Sequence, residues 1–600
     1  MNDIQNNIIN KYEALRSQHL QDFQSIKSKE NVVSILRLVT VCIFLISLYV
    51  MIKNQSHLLF IIPAMLVLVG FFLFLVRWHD HLTAIRKFKK ALSDVNEDEL
   101  NYLSHQTLSY PNGLEYLDVH HAYAYDLDIF GNHSLYQHLN RTGTHKGSKI
   151  LANHLLAISS HSEILSNQAA IAELSEKVAW RQSLFAQARL THDTPTTYQK
   201  LIDWCQEPSY TLSKLVVLLS YILPILLWTT LLYGWISGNS DIFSVSSFLF
   251  TLNLMLTFGH FKHIKSAIIG SDGIPKIIKS YGLLSATIEN ENLQATKLQT
   301  IKNKLFKSDQ GVSQEIRLLG TLLSDLDNVQ NLLGAIITNG LGMFHLHTLR
   351  KLGVWKQQHA SDVSTWLEAI GDIESLNSFA NFYYNNPDFV FPTLNQNHDI
   401  IMENAGHPMI NVTKRIGNPV DFSNQRFVIL TGSNMSGKST YLRTLGINMI
   451  LAGTGAPVCA TKATIHPMKV LVTMRLSDSL TENESYFYAE VSRLKQIMDQ
   501  LQGEVSFVLL DEILRGTNSD DKRSGTIKVI KKIIKKNAVG IIATHDIEVC
   551  HTTDEYPDIL NNQCFEAEIK NNDLYFDYRI RPGICKNKSA TFLMEKMGVI

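Results

Sequence analysis

The stretch of sequence that decides the fold runs from residue 427 to residue 439. It opens with the apolar run Phe427-Val428-Ile429-Leu430 and continues after Thr431 with Gly432-Ser433-Asn434-Met435-Ser436-Gly437-Lys438-Ser439. The pattern G-x-x-x-x-G-K-S behind an apolar strand is typical of a phosphate-binding P-loop that opens a helix at its lysine. Backbone N–H groups at such a helix start point at an anion. The stretch therefore predicts a site for a nucleoside triphosphate, with ATP as the expected ligand.

The same pattern predicts a role for the residues of the loop. Lys438 is expected to reach the β- and γ-phosphates, and Ser439 to bind Mg²⁺. The glycines at either end of the loop allow the backbone to approach the phosphates closely. The residues predicted to contact ATP are Gly432, Ser433, Asn434, Met435, Ser436, Gly437, Lys438, Ser439 and Thr440.

Two later apolar runs end in residues that such a site needs. Residues 505–510 lead into Asp511-Glu512, a Walker B arrangement in which Asp511 holds Mg²⁺ through water and Glu512 positions or deprotonates the attacking water. Residues 539–543 deliver His545 at the end of a third strand, where it can sense the γ-phosphate or orient water. The alternative for His545 is a structural role. The predicted catalytic residues are thus Glu512, His545 and Lys438, and the predicted metal ligands are Ser439 and Asp511.

Four apolar segments ahead of this region are long enough to cross a bilayer, since a span needs roughly 20 apolar residues. They form two hairpins, with spans at about 32–52 and 58–76 and at about 215–236 and 242–261. The alternative is a pair of buried core hairpins, although buried helices of this length normally carry some charge. No acidic or basic residue lies near the centre of a span, which favours an anchor over an ion or substrate pathway.

Basic residues predict the orientation of the hairpins. Lysines and arginines gather outside both hairpins, whereas the connecting loops contain only Lys53. By the positive-inside tendency, both hairpins enter from the cytoplasmic side and return to it. We therefore expect a multi-pass protein of the cell membrane, with both termini and the nucleotide site in the cytoplasm. The six cysteines show no C-x-x-C spacing, which argues against a disulfide framework or a structural zinc site.

The motifs resemble those of the MutS mismatch-repair ATPases. Residues 431–443, with the Asn434-Met435 pair, are similar to the P-loop of that family. Residues 511–518 resemble its extended Walker B segment, with Leu514 in place of the usual glycine, and residues 543–546 match its switch histidine. Residues 475–480 and 484–490 resemble the stretch that offers a serine to the nucleotide of the neighbouring subunit. The resemblance implies a homodimer with composite ATP sites, in which Ser485 acts in trans.

The resemblance also sets the expected domain plan. The fold expected is an α/β P-loop NTPase domain of the MutS/ABC type, preceded by an all-α MutS-core-like helical domain that transmembrane hairpins interrupt. The predicted boundaries are residues 1–110 for an N-terminal helix with the first hairpin, 111–210 and 266–400 for the two parts of the helical core, 211–265 for the second hairpin, and 401–600 for the ATPase domain. The first hairpin stands where mismatch-binding members carry a mismatch-reading domain, so mismatch recognition is not expected to carry over.

DNA is a possible partner that the sequence does not establish. Lys+Arg and Asp+Glu both number 55, so no net charge draws in nucleic acid. Residues 527–536 alternate apolar and basic side chains, which suits either a DNA-binding face or the solvated face of a helix. Two other functions stay open beside a DNA-handling ATPase: a transporter resembling the ABC exporters, which would lack their Leu-Ser-Gly-Gly-Gln signature, and an ATP-switched membrane scaffold.

Overall fold

Helices dominate the chain up to residue 385, and two β-sheets follow. The computed structural model describes residues 2–53, 58–105, 108–267, 274–307, 310–327, 332–475, 486–501, 503–570, 573–586 and 594. The helices are α1 (Asn2–Lys53), α2 (Leu58–Leu103), α3 (Leu135–Leu139), α4 (His145–Leu155), α5 (His161–Glu176), α6 (Val178–Arg189), α7 (Pro195–Gln206), α8 (Lys214–Ser237), α9 (Ser240–Gly259), α10 (Phe261–Ala267), α11 (Ile274–Glu289), α12 (Thr296–Asn303), α13 (Ser313–Asp327), α14 (Leu332–Gly342), α15 (Phe344–His359), α16 (Val363–Asn385), α17 (Lys438–Thr454), α18 (Tyr486–Gln500), α19 (Ser519–Lys535) and α20 (Thr552–Glu555). The strands are β1 (Phe306–Lys307), β2 (Gln310–Gly311), β3 (Thr393–Leu394), β4 (Ile400–Ala405), β5 (Asn418–Asp421), β6 (Phe427–Gly432), β7 (Lys462–Ile465), β8 (Lys469–Thr473), β9 (Ser506–Asp511), β10 (Val539–Thr544), β11 (Leu560–Lys570) and β12 (Asp573–Pro582).

The first predicted hairpin is the apolar end of a much longer antiparallel helix pair. At 1.5 Å per residue, the 52 residues of α1 extend about 78 Å and the 46 residues of α2 about 69 Å. Polar contacts join the two helices beyond the apolar part, with Arg86 2.5 Å from Glu30 and Lys89 2.8 Å from Asp22. The predicted spans 32–52 and 58–76 therefore continue directly into helices that reach the rest of the protein.

The second predicted hairpin consists of α8 and α9, whose bounds lie within two residues of the predicted spans 215–236 and 242–261. By length and composition alone, four helices of the described chain could cross a membrane, namely α1, α2, α8 and α9. The count rises to five if the bent pair α14 and α15 is taken as one span.

Helix α16 is the centre of the helical region. Most of its 23 residues are buried, and α3, α4, α5 and α6 pack against it, as expected for a helix with apolar side chains on all faces. Its Glu374 carboxylate accepts hydrogen bonds from the N–H groups of Gly143 at 2.7 Å and Thr144 at 3.2 Å. Burial raises the pKa of Glu374 to about 7. The contact fixes the start of α4 against the central helix.

The larger sheet has six strands in the order β12-β11-β6-β10-β9-β8. All neighbouring strands in it pair in parallel except β11 and β12, which are antiparallel. Strands β6, β9 and β10 are buried at every position, which is typical of parallel strands covered by helices on both faces. A smaller sheet has the order β3-β7-β4-β5 and starts at Thr393, ahead of the predicted boundary at residue 401.

Candidate functional site

Three neighbouring strands of the larger sheet end at one edge and deliver the predicted site residues there. Strand β10 lies between β6 and β9, and all three run in the same direction. The loop 433–437 follows β6, Glu512 follows β9, and His545 follows β10. Since the carboxyl ends of parallel strands form the ligand crevice of an open sheet, the strand order brings together side chains such as those of Lys438 and His545, which are 107 residues apart in sequence.

The loop after β6 turns sharply into α17. Gly437 occupies the N-cap of α17 with φ 102°, a conformation that a side chain would strain. The hydroxyl oxygens of Ser433 and Ser436 are buried and make no hydrogen bond within the described part of the chain. Unpaired hydroxyls beside a helix N-terminus suit a phosphate, which accepts from both hydroxyl and backbone donors.

Lys438 folds back over its own loop. Its Nζ donates to the carbonyl oxygens of Gly432 at 3.0 Å and Ser433 at 3.2 Å, and it lies 3.3 Å from Nε2 of His545. The residue is 5% exposed, and burial lowers the pKa of its ammonium group. The partners of this buried ammonium group are chiefly neutral carbonyls. The charged oxygens of a phosphate would form stronger hydrogen bonds with it and can replace them.

The predicted metal ligands contact each other. Ser439 Oγ donates to Asp511 Oδ2 at 2.5 Å, while Asp511 Oδ1 is buried without a hydrogen-bond partner among the described residues. Within the described ranges, no group of three or more His, Cys, Asp or Glu side chains could hold a metal ion. One hydroxyl and one carboxylate suit Mg²⁺, which keeps several waters and takes its other ligands from substrate phosphates. The two side chains therefore fit Mg²⁺ bound together with a nucleotide.

Glu512 and His545 contact each other next to Lys438. Glu512 Oε1 lies 2.7 Å from Nε2 of His545. This hydrogen bond, with the nearby positive charges, lowers the pKa of Glu512 to about 2. The backbone of Glu512 has φ 49°, and Arg515 Nε donates to its carbonyl oxygen at 2.9 Å. A non-glycine residue in this conformation stores strain that the surrounding contacts must hold, so the carboxylate is fixed in place and ionised.

A cavity of about 440 Å³ adjoins the loop. Its wall includes the loop residues 434–440 and Glu512, and on the far side residues from the smaller sheet and the β11–β12 hairpin. Asn418 of β5 holds that hairpin by donating to the carbonyl oxygen of Tyr578 at 3.0 Å. Aromatic rings of Phe565 and Tyr578 line the cavity. Its size is in the ordinary range for small-molecule sites, and its lining includes both the loop residues and aromatic side chains.

The structure thus gathers the predicted residues from Gly432 to Thr440 with Asp511, Glu512 and His545. The sequence-based prediction that Ser485 completes a neighbouring site falls on residues outside the described part of the chain. Met435 lies at the mouth of the cavity with its side chain 77% exposed and φ 65°.

The sequence motifs predict no role for Glu490, which is the last residue of the segment 484–490. This residue of α18 is buried, and its carboxylate accepts from the N–H groups of Leu514 at 2.5 Å and Arg515 at 2.9 Å. The backbone of Leu514 has φ 61°, at the position where the Walker B segment that this sequence resembles has a glycine. The two successive N–H groups make an anion-binding concavity, so Glu490 holds the turn that follows Glu512. The sequence signal that could have predicted this role is an acidic residue on the buried side of an amphipathic helix.

We expect Glu490→Gln to slow turnover by misplacing Glu512, because an amide NH₂ would face one of two backbone donors. An unsatisfied buried donor costs about 1–3 kcal/mol, so kcat should fall about tenfold with KM nearly unchanged. Asp499→Asn, at an exposed position of the same helix, is the matched control. Steady-state kinetics of both variants measure the difference, and equal rates would contradict the positioning role.

A second feature that the sequence did not reveal joins this region to the helical part. Asp126 accepts from the N–H groups of Met474 at 2.7 Å and Arg475 at 2.8 Å. Asp128 binds the guanidinium of Arg475 with both oxygens and also lies 3.3 Å from Arg443 of α17. These residues are over 300 positions apart, so no local pattern predicts the contact. It links α17, the helix that follows the loop 433–437, to the segment that leads into the helical region.

Comparison with known proteins identifies this region. The family model of MutS domain V matches residues 428–598. Residues 428–598 are therefore a MutS domain V. The DNA mismatch repair protein MutS of Methanococcoides burtonii is 32% identical to this chain over 250 residues. That similarity covers 40% of this chain and 28% of the relative, so the chain spans under a third of the curated relative's length. The MutS domain V begins inside β6, and both hairpins lie outside it.

Proposed function

We propose that this protein is a membrane-anchored MutS-type ATPase that hydrolyses ATP to ADP and phosphate with Mg²⁺. The observation that carries the proposal is the convergence of Lys438, the Ser439–Asp511 pair and the Glu512–His545 pair at one edge of a parallel sheet. In this proposal the domain has the α/β P-loop fold, and the cavity of about 440 Å³ holds the nucleotide.

The residues divide the chemistry between them. Lys438 gives up its loop carbonyls and binds the β- and γ-phosphates, where charge develops as the phosphoryl group leaves. Ser439 and Asp511 would hold Mg²⁺, which neutralises charge on the phosphates when it is bound. Glu512 is ionised and accepts the proton of the attacking water or orients that water. His545, paired with Glu512 and close to Lys438, senses whether the γ-phosphate is present.

Homodimerisation completes the proposed site. Helix α18 starts at Tyr486, directly after the segment that carries Ser485. Near its start α18 exposes apolar side chains, of which Phe487, Tyr488 and Val491 are the clearest. Exposed apolar surface of this kind marks interaction sites, and a second copy of the chain placed there would bring its Ser485 towards the neighbouring nucleotide. Glu490 then connects this interface to the turn after Glu512.

In this mechanism the helical region is the part that moves. Asp128 contacts both Arg443 of α17 and Arg475 at the start of the segment leading to Ser485. A change at the phosphate loop therefore reaches residues 126–128 and the helices that follow them through direct ion pairs. DNA is the macromolecule to test first against the helical region, because the M. burtonii relative is named as a mismatch repair protein. Binding to homoduplex, mismatched and branched DNA across a salt series measures this.

Membrane anchoring is the second half of the proposal. Of the most apolar stretch of each helix, only 6% is buried within the chain in α1 and α2, and 17% in α8 and α9. The apolar side chains of these stretches therefore need a nonaqueous environment. Acyl chains of a bilayer supply it. The distribution of lysines and arginines then puts the ATPase domain and both termini in the cytoplasm.

Replacement of Glu512 by glutamine tests the ATPase. We expect hydrolysis by the purified full chain to fall about a hundredfold or more, since a general base contributes about 10²–10⁴, while ATP binding survives. Glu504→Gln is the matched control, because Glu504 is exposed near the opposite end of the same strand. Phosphate release and fluorescent-nucleotide binding measure the two effects. Unchanged turnover in the Glu512 variant would overturn the assignment.

A further inference from the structure

Helix α14 is apolar but only half the length of a membrane span. Its sequence, Leu332–Gly342, contains no charged residue, and at 1.5 Å per residue its 11 residues extend about 16 Å. The apolar layer of a bilayer is about 30 Å thick. Leu332, Leu333 and Ile337 expose between half and three quarters of their side chains. The helix ends at Gly342, and at the next residue, Met343, the backbone has φ 47° and the chain bends by 82° into α15.

The end of α14 is bound by side chains of the second hairpin. Asn253 of α9 is fully buried, and its Nδ2 donates to the carbonyl oxygen of Gly340 at 2.7 Å. Trp228 of α8 donates from its indole nitrogen to the carbonyl oxygen of Leu341 at 3.2 Å. The last carbonyl groups of a helix have no partner within it. In lipid an unsatisfied carbonyl is costly because no water can pair with it, so these two polar side chains supply what a helix end inside a membrane requires.

Close packing supports the same placement. Any side-chain carbon on Gly340 would overlap the ring of Phe250 in α9. A small residue at this point lets α14 approach the hairpin closely, which is how helices associate in membranes. Leu341 and Met343 also join Leu223, Leu227 and Leu249 of the hairpin in one apolar cluster.

Helix α15 does not continue α14 as a span. It carries Arg350, Lys351 and Lys356, and its Trp355 donates to the carbonyl oxygen of Glu315 in α13 at 3.0 Å. Its Leu349, Leu352 and Trp355 belong to the main core of the helical region. The bend of 82° at Met343 and these contacts therefore keep α15 with the helical region, so that α15 does not extend α14 in one direction.

We propose that α14 is a re-entrant half-helix that lies against the second hairpin with its outer face, Leu332, Leu333 and Ile337, covered by lipid acyl chains. The inference rests on the proposed membrane anchoring of α8 and α9. Continuity with the exposed apolar surface of those helices selects lipid over a second copy of the chain as the occupant. The arrangement ties α13 and α15 of the helical region directly to the membrane surface.

Spin labels on the full chain in liposomes test the proposal. Cys42 and Cys205 are first replaced by serine, because the other four cysteines are buried. A label is then placed by Leu333→Cys or Ile337→Cys, with Phe248→Cys on α9 as the lipid control. Leu318→Cys is the aqueous control, since Leu318 is an exposed leucine on α13. Collision rates with oxygen, which concentrates in lipid, and with a water-soluble nickel chelate are compared.

We expect the oxygen-to-nickel collision ratio at 333 and 337 to match that at 248 and to exceed that at 318 several-fold. If the label at 248 lies in lipid but the ratios at 333 and 337 match that at 318, the re-entrant helix is overturned and the anchoring stands. A water-accessible label at 248 overturns the anchoring itself. Low collision rates with both reagents, or broadening between labels, show a second copy on this face and overturn lipid as the occupant.

Discussion

Replacement of Lys438 by alanine is expected to abolish ATP binding at micromolar concentrations. Lys438 is the one buried ammonium group at the described sheet edge, and it lies within reach of the loop carbonyls that surround the proposed phosphate position. Hydrogen bonds to charged groups contribute about 1.5–3 kcal/mol each. Loss of two such bonds weakens binding by about a hundredfold or more, since each 1.4 kcal/mol is about tenfold. Equilibrium binding of a fluorescent ATP analogue to the detergent-solubilised chain measures the loss.

The control for this experiment is Lys414→Ala. Lys414 lines the same cavity but is exposed at its mouth, so a solvent-screened charge there contributes little. We expect its affinity for ATP to stay within a few-fold of the wild type. If both variants bound ATP equally well, the cavity would be holding the nucleotide by contacts other than the phosphate loop.

The candidate site could be predicted from sequence because its parts are local. A strand, a glycine-rich loop and a helix start follow one another from residue 427 to residue 439, and the backbone geometry follows from that order. The ends of the strands before Asp511 and His545 also follow from short apolar runs. These short runs do not predict the strand order. That order places β10 between β6 and β9 and so puts His545 between Lys438 and Glu512.

The remaining features depend on contacts between distant segments. Glu490 binds backbone N–H groups that no side-chain pattern records. Asp126 and Asp128 meet arginines more than 300 residues further along the chain. Helix α14 resembles an ordinary apolar core helix, because a segment of 11 residues is too short to predict a span. Its contacts with Asn253 and Trp228 are among the features that distinguish it.

The attachment of the first hairpin is another such feature, and it involves a buried ion pair. Glu99, near the end of α2, lies 2.6 Å from Arg141 Nε, and both side chains are almost completely buried. Asn385 of α16 donates to Glu99 at 2.7 Å, and Tyr12 of α1 donates to Asn385 at 2.8 Å. The guanidinium of Arg141 lies 3.8 Å from the centre of the Tyr110 ring. The long helix pair is thus joined to the central helix through a fully partnered polar network.

We expect Glu99→Ala to destabilise the helical region by about 3–5 kcal/mol, because removal of one partner leaves Arg141 buried and uncompensated. Glu97→Ala, at an exposed position of the same helix, should change stability by less than about 0.5 kcal/mol. The double variant Glu99→Leu with Arg141→Met should recover only part of the loss, since apolar groups can replace a buried ion pair but leave the Asn385 amide without its acceptor. Denaturant midpoints of the full chain in detergent measure all three.

The same network predicts how the stability of the helical region depends on pH. Burial alone would raise the pKa of Glu99, but Arg141 and the amide donors outweigh it, so the pKa is lowered from its ordinary value of 4.5. A carboxyl group with a lowered folded-state pKa contributes stability above its unfolded value and loses it as pH falls towards the folded value. Below pH 4.5 the wild type should therefore lose stability faster than Glu99→Ala. If Glu99→Ala instead behaved like Glu97→Ala at every pH, the hairpin would be a loosely attached tether, and movement of the helical region could not be transmitted along α1 and α2 to the membrane.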